Sequence, residues 1–258
     1  MGQTDHPETR QWLDRHGLTD AEATPLLVAR LAVRRQANFY GSVLLAVFLI
    51  GAALTHVSRL GGGTSAQLRL LVLVALVVAL LTGQWLLGWW VRRVDQQAGA
   101  RLPRRVAHPV DFGWQAVLGR PYAVFAVATF TGALLVAVSV LPISDPDLRA
   151  GATVVLIGLA GAGAGTVLQL RQVLTTPAVA QDEASLTADV IMRVEDARAL
   201  VTPNLVWILP AIFLYGESLG WWNAVAIGLV PVGVAALALI HSRTADVGAT
   251  ARQAMIVR

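Results

Sequence analysis

No cysteine and no lysine occur in this chain of 258 residues. Without cysteine there is no disulfide, no thiolate nucleophile, no iron–sulfur cluster and no zinc finger of the usual spacing. Without lysine the positive charge rests on arginine alone, 20 side chains against 16 acidic ones. That usage, with its wealth of Ala, Val, Gly and Leu, is read as the coding bias of a GC-rich bacterial genome. The most informative absence is local. Six windows hold no Asp, Glu or Arg: 36–58, 70–91, 121–144, 150–170, 199–216 and 218–242. Each is close to the ~20 apolar residues that a spanning helix needs.

What is present agrees with those gaps. Hydrophobic residues make up 55% of the chain and its mean hydropathy is +0.61, more apolar matter than a water-soluble core hides. The predicted fold class is all-α: a polytopic membrane protein with six transmembrane helices and short cytoplasmic amphipathic helices. The spans fall at 38–58, 70–91, 121–142, 150–170, 199–216 and 220–241, inside a transmembrane domain of 38–242. Residues 1–37 form a helical N-terminal tail and 243–258 a C-terminal one. Arginine clusters before the first span, between the second and third, between the fourth and fifth, and after the sixth. Only Arg59, Arg69 and Arg149 are left for the other face. By the positive-inside rule both tails are cytoplasmic, and the membrane is the bacterial plasma (inner) membrane. The basic balance thus reports orientation, and no nucleic-acid partner is expected. The polar first residues lack an apolar h-region, so no removable signal peptide is expected and the first span acts as its own insertion signal.

In the N-terminal tail, Pro7 suits a first helical turn and Gly17 a helix end, and Thr19 to Glu22 matches a capping box opening a second helix that runs into the first span. Arg30, Arg34 and Arg35 on that helix read as a solvated basic face beside anionic headgroups. The outer links are short, whereas two inner connections of about thirty residues exceed what a turn needs. The first carries Phe112, Trp114 and Leu118, candidates for docking a partner. The second spaces Leu186, Val190, Val194, Ala197 and Val201 as one apolar helix face, with Asp189, Arg193 and Asp196 opposite. Val190, Arg193 and Val194 are its docking candidates, and the helix is expected to extend the fifth span into the cytoplasm.

Within the spans, Gly158, Gly161 and Gly165 form a small-xxx-small stripe read as a helix-packing face. Gln84 and Asn204 are read as interhelical polar glue or as cavity lining, and Pro203, Pro210 and Pro231 as kinks that could shape such a cavity. Full charges are absent from the windows, which argues against ion-coupled transport. Gly216 to Gly220 matches the G-x-S-x-G elbow of serine hydrolases, but it joins two spans instead of a strand and a helix. The rhomboid proteases, also built on six helices, place their serine in the fourth core helix, and Ser218 does not fall there. The five histidines show no ligand spacing, and neither metal nor cofactor is expected.

The preferred functional reading is therefore a non-enzymatic membrane subunit of a transport or signalling complex that docks a cytoplasmic partner. In span count and length the chain resembles the membrane half of an ATP-driven exporter, which implies a nucleotide-binding subunit against the inner helices. The alternative is a self-sufficient channel or carrier for a neutral solute; the remote one is an intramembrane serine hydrolase at Ser218. The surrounding partner is the lipid bilayer, and a homo-oligomer is open.

Overall fold

The computed structural model describes residues 7–19, 22–60, 65–100, 113–176, 183–202, 204–213 and 220–256. These form helices only: α1 (Pro7–Arg15), α2 (Pro25–Leu60), α3 (Ala66–Ala100), α4 (Trp114–Val117), α5 (Arg120–Val140), α6 (Pro146–Thr175), α7 (Glu183–Val201), α8 (Asn204–Phe213), α9 (Gly220–Arg243) and α10 (Val247–Ile256). Local chemistry sets several boundaries. Gly17, at φ +69°, closes α1: its N–H donates to the Asp14 carbonyl and the Leu18 N–H to the Leu13 carbonyl, a Schellman end that only glycine enters without strain. Helix α2 starts later than the expected capping box. Thr24 accepts from the Leu27 N–H at 3.3 Å, and Pro25, which has no N–H to satisfy, takes the first helical position.

Five helices are long and apolar enough to cross a membrane, over Pro25–Thr55, Gln67–Ala98, Arg120–Val140, Leu148–Thr175 and Ala224–Arg243. The expected span at 199–216 is met differently. Residues 199–201 finish α7, the chain breaks at Thr202, and α8 follows with ten described residues; Pro203 and 214–219 lie outside the described residues. A proline at 203 can neither donate to the turn before it nor tolerate the carbonyl four residues back, so α7 does not run on as one helix.

A central core joins Phe48 of α2, Leu80 of α3, Ala133 of α5, Val155 of α6 and Leu209 of α8. At one end, α7 is enclosed: Val190, Ile191 and Val194 pack with Val117, Leu118 and Tyr122 on one side and Ala251 of α10 on another. Leu13 of α1 and Leu27 of α2 cover Ala188 and Met192. Both terminal helices therefore pack on α7 at the same end of the bundle. Around its middle the surface is apolar, with Ile50 61% and Val232 68% exposed. An apolar belt of this extent is stable against a hydrocarbon medium and not against water.

Candidate functional site

The enclosed end of the bundle is built on charge. Arg30 and Arg34 lie one turn apart on α2, and Asp189, Arg193 and Asp196 share one face of α7. Asp95 comes from the last turns of α3. Arg30 binds Asp95 through Nε at 2.8 Å and Asp189 through Nη2 at 2.6 Å. Arg34 binds Asp95 at 2.7 Å and Asp196 at 2.9 Å, and Arg193 binds Asp189 at 2.8 Å. Arg193 also donates to the Val173 and Thr176 carbonyls, satisfying acceptors that α6 leaves open at its C-terminus. Three guanidinium groups and three carboxylates thus form one chain of pairs, and Asp189 is wholly buried in it. Burial holds the Asp196 carboxyl above the ordinary carboxylate range despite Arg34, with Asp95 and Glu195 adding repulsion.

This corrects two expectations. Arg30 is buried and Arg34 largely covered, because carboxylates from α3 and α7 converge on them. The polar face of α7 is not a solvent face either. Both of its faces are covered, one by apolar side chains and one by ion pairs. Of Arg30, Arg34 and Arg35, Arg35 is the exposed one, where it pairs with Glu8 of α1.

A second cluster fastens α1. His16 Nε2 lies 3.2 Å from Glu195 Oε1 and its Nδ1 2.8 Å from the Trp12 carbonyl, and the Trp12 indole donates to Glu195 at 3.3 Å. Both ring nitrogens face acceptors, and a neutral imidazole has only one N–H to give. Burial disfavours the charged ring, but the Glu195 and Trp12 hydrogen bonds outweigh it, and the pKa is raised.

Beneath the ion-pair chain lies a cavity of about 1120 Å³ bounded by α2, α3, α6, α7 and the start of α8. Asn38, Gln84, Gln169 and Asn204 line it, and among the described residues their side chains make no hydrogen bond. A neighbouring hollow of about 1320 Å³ lies between α1, α2, α7 and α9; several of its polar groups, Glu8, Arg35 and Glu195 among them, are paired, while it shares Asn38 with the first cavity.

The residues singled out from sequence disperse over this geometry. Gln84 and Asn204 share the cavity. Gly158 and Gly161 lie against neighbours: a Cβ at Gly158 would come within 3.1 Å of Leu209 Cδ1, and one at Gly161 within 3.1 Å of Leu81 Cδ1. Gly165 departs from the packing expectation, since a Cβ there meets nothing within 4 Å; it faces the cavity. Pro210 is buried in α8 and Pro231 exposed on α9, and neither lines the cavity. Of the docking candidates, Val190 and Val194 are fully buried, Leu118 and Arg193 nearly so, and Trp114 is exposed. Burial inside the chain's own core removes the α7 candidates and Leu118 from any free surface. Phe112, Pro203 and Ser218 lie outside the described residues. Sequence reasoning did not pick out Asp95, nor the pairing of Arg30 with Asp189; Gln169 stood out in the sequence, with Gln84 and Asn204, only as a polar residue of an apolar window. The available signal was the matched spacing of Arg30 and Arg34 with Asp189, Arg193 and Asp196.

Among the described residues the fold and site define an all-helical protein with five helices long and apolar enough to cross a membrane and an open-sided cavity, lined by polar and apolar residues, beside a charge-paired end. No protein family, no curated protein and no solved structure matches the chain.

Proposed function

We propose that the chain is a multi-pass protein of a bacterial plasma membrane that holds a small polar solute in the cavity between α2, α3, α6 and α8 and conducts it as a channel or carrier. The reading is non-enzymatic and needs no cofactor. One observation carries it: Asn38, Gln84, Gln169 and Asn204 line a single cavity without hydrogen-bond partners among the described residues. Each amide offers both donors and an acceptor toward the same space, which suits a polar solute or water entering it. Charge is also present at this cavity, so the solute need not be neutral, as the charge-free windows suggested.

Six crossings with both termini cytoplasmic fit the packing of α1 and α10 on the same end of α7, since a chain that enters and leaves at one face crosses an even number of times. Segment 199–216, which includes the end of α7 and all of α8, then supplies the fifth crossing. The arginine-rich end is the cytoplasmic one by the positive-inside rule. The subunit reading has less support, because Val190, Val194 and Leu118 are spent on internal packing.

The test uses the absence of native thiols. Gly165→Cys and Asn204→Cys, each the only cysteine in its chain, are expected to react with a small membrane-impermeant thiosulfonate added from an aqueous face, while Val127→Cys on the apolar belt does not. Failure of both cavity positions to react from either face would rule out a solute-accessible cavity.

A further inference from the structure

The geometry points to Arg92 as the anchor for an anionic group, a phosphate or carboxylate, of the ligand that the cavity takes; this rests on the cavity reading above. Four arginines line the cavity, Arg30, Arg34, Arg92 and Arg193, with three aspartates, Asp95, Asp189 and Asp196. The aspartates are all engaged by Arg30, Arg34 and Arg193. Asp95, one turn beyond Arg92 on α3, is held by the two α2 arginines instead. Arg92 is left, among the described residues, with neither counter-ion nor hydrogen bond.

Its direction is as informative as its isolation. An arginine at the inner end of a spanning helix ordinarily stretches outward to reach water and headgroups. The Arg92 guanidinium instead folds back along α3 over Gly88, one turn deeper into the bundle: a Cβ on Gly88 would lie 3.2 Å from Arg92 Nη1. The same imagined atom would lie 2.8 Å from Gln169 Oε1, reaching over from α6. The absence of a side chain at position 88 thus lets a guanidinium and a carboxamide from two helices meet over bare backbone. The carboxamide of Gln169 has no hydrogen bond in the described structure, and its oxygen and nitrogen exchange by a flip, so it too can present N–H donors to the point that Arg92 faces. A guanidinium fork joined by an amide N–H matches the planar oxygen pair of a phosphate or carboxylate, and a partly desolvated, unpaired cation favours an anion over a neutral group.

The anionic group has two sources, the headgroup of a membrane lipid or a water-soluble anion, and one experiment separates them. The full chain in a neutral detergent is followed by thermal unfolding while titrated with inorganic phosphate, with short-chain phosphatidylglycerol, or with phosphatidylcholine of the same chain length. A saturable rise in Tm with phosphate or phosphatidylglycerol, absent with phosphatidylcholine, is expected, as anything that binds the folded state raises its stability. A rise with phosphatidylglycerol alone assigns a lipid headgroup; a rise with phosphate as well assigns a soluble anion. Arg92→Gln is expected to weaken the response roughly tenfold or more, whereas Arg93→Gln, whose arginine stacks on Trp89 instead, leaves it unchanged. Gly88→Ala gives a second reading that keeps the charge, because its methyl intrudes on both Arg92 and Gln169. No rise with either anion, or the same titration curve in Arg92→Gln and Gly88→Ala, would overturn the assignment. Reaction of Gly165→Cys with a neutral thiol reagent is read in the same preparation. Labelling without an anion effect leaves the cavity reading standing and removes the anion site, while no labelling removes the cavity reading itself.

Discussion

Arg30 on α2 and Asp189 on α7 meet at 2.6 Å across 159 positions of sequence, both buried, and each is shared with a second partner. The pair is one link of the charge chain that runs from Arg193 through Asp189, Arg30, Asp95 and Arg34 to Asp196. Desolvating such groups is costly, so what matters energetically is completeness: breaking a buried pair leaves an uncompensated charge, commonly a loss of about 3–5 kcal/mol. Asp189→Ala removes the carboxylate that Arg30 and Arg193 share, leaving Arg30 on Asp95 and Arg193 on the α6 carbonyls, and is expected to lose stability toward the lower end of that range. Asp189→Leu combined with Arg30→Met and Arg193→Met is expected to recover a good part of it. Denaturant unfolding in detergent micelles measures both, and an unchanged midpoint in Asp189→Ala would show that the chain of pairs holds nothing together.

The docking of α1 on α7 depends on pH through His16. Its folded-state pKa is raised above the ordinary 6.5, so its contribution is fully present below 6.5 and disappears as the pH climbs through the raised value. Amide exchange in α1 is therefore expected to quicken as the pH rises above the ordinary 6.5, beyond the intrinsic base catalysis of exchange. His16→Gln should remove that excess. Equal excess in the variant would refute the link.

Two glycines four or more positions apart on α6 carry opposite expectations. Gly158→Leu drives a side chain against Leu209 Cδ1 and Val77 Cγ1, which would already stand 3.1 and 3.4 Å from a bare Cβ, and is expected to cost about 1–3 kcal/mol. Gly165→Leu enters open space, so folding is expected to be spared while the cavity loses volume. Thermal unfolding of the two variants, with the labelling rate of Asn204→Cys read in the Gly165→Leu background, checks the pair. Equal destabilisation by both would contradict the cavity wall at Gly165.

Val190 has no exposed surface. Val190→Asp is expected to reduce the folded yield sharply, since it buries a carboxylate among Val117, Tyr122 and Ala251, whereas Trp114→Ala on the exposed side of α4 should leave the yield near that of the parent. Size-exclusion profiles in detergent distinguish the outcomes. A well-folded Val190→Asp protein would show that α7 is less enclosed than its packing implies.

Much of the architecture was legible because a membrane imposes composition directly: a helix facing hydrocarbon must be apolar over its length, and long uncharged windows report that without knowledge of neighbours. The end of α1 at Gly17 was legible for a similar local reason. The start of α2 was misplaced because two threonines, Thr19 and Thr24, both satisfy a capping pattern, and the proline at 25 decides between them. The site was legible only in pieces. Gln84 and Asn204 drew notice as polar residues in apolar windows, but that they face one cavity depends on helix packing. Arg30 and Arg34 look like membrane anchors until Asp95 and Asp189, 65 and 159 positions away from Arg30, are brought to them. An amphipathic pattern on α7 reports two chemically different neighbours, and sequence cannot say that the polar neighbour is protein and not water.

Helices α1 and α10 sit side by side, with Arg252 donating to the His16 carbonyl across 236 positions. In synthesis, at ~5–20 residues per second, the first helix therefore waits roughly 10–50 seconds for the last to emerge. Until then α7 lacks its Ala251 cover, and the long apolar helices α2, α3, α5 and α6 are made while that end of the bundle is still unfinished. The cover over α7 is consequently among the last contacts to form, and a stalled chain would present a bundle still open at that end to the quality-control proteases of the cell.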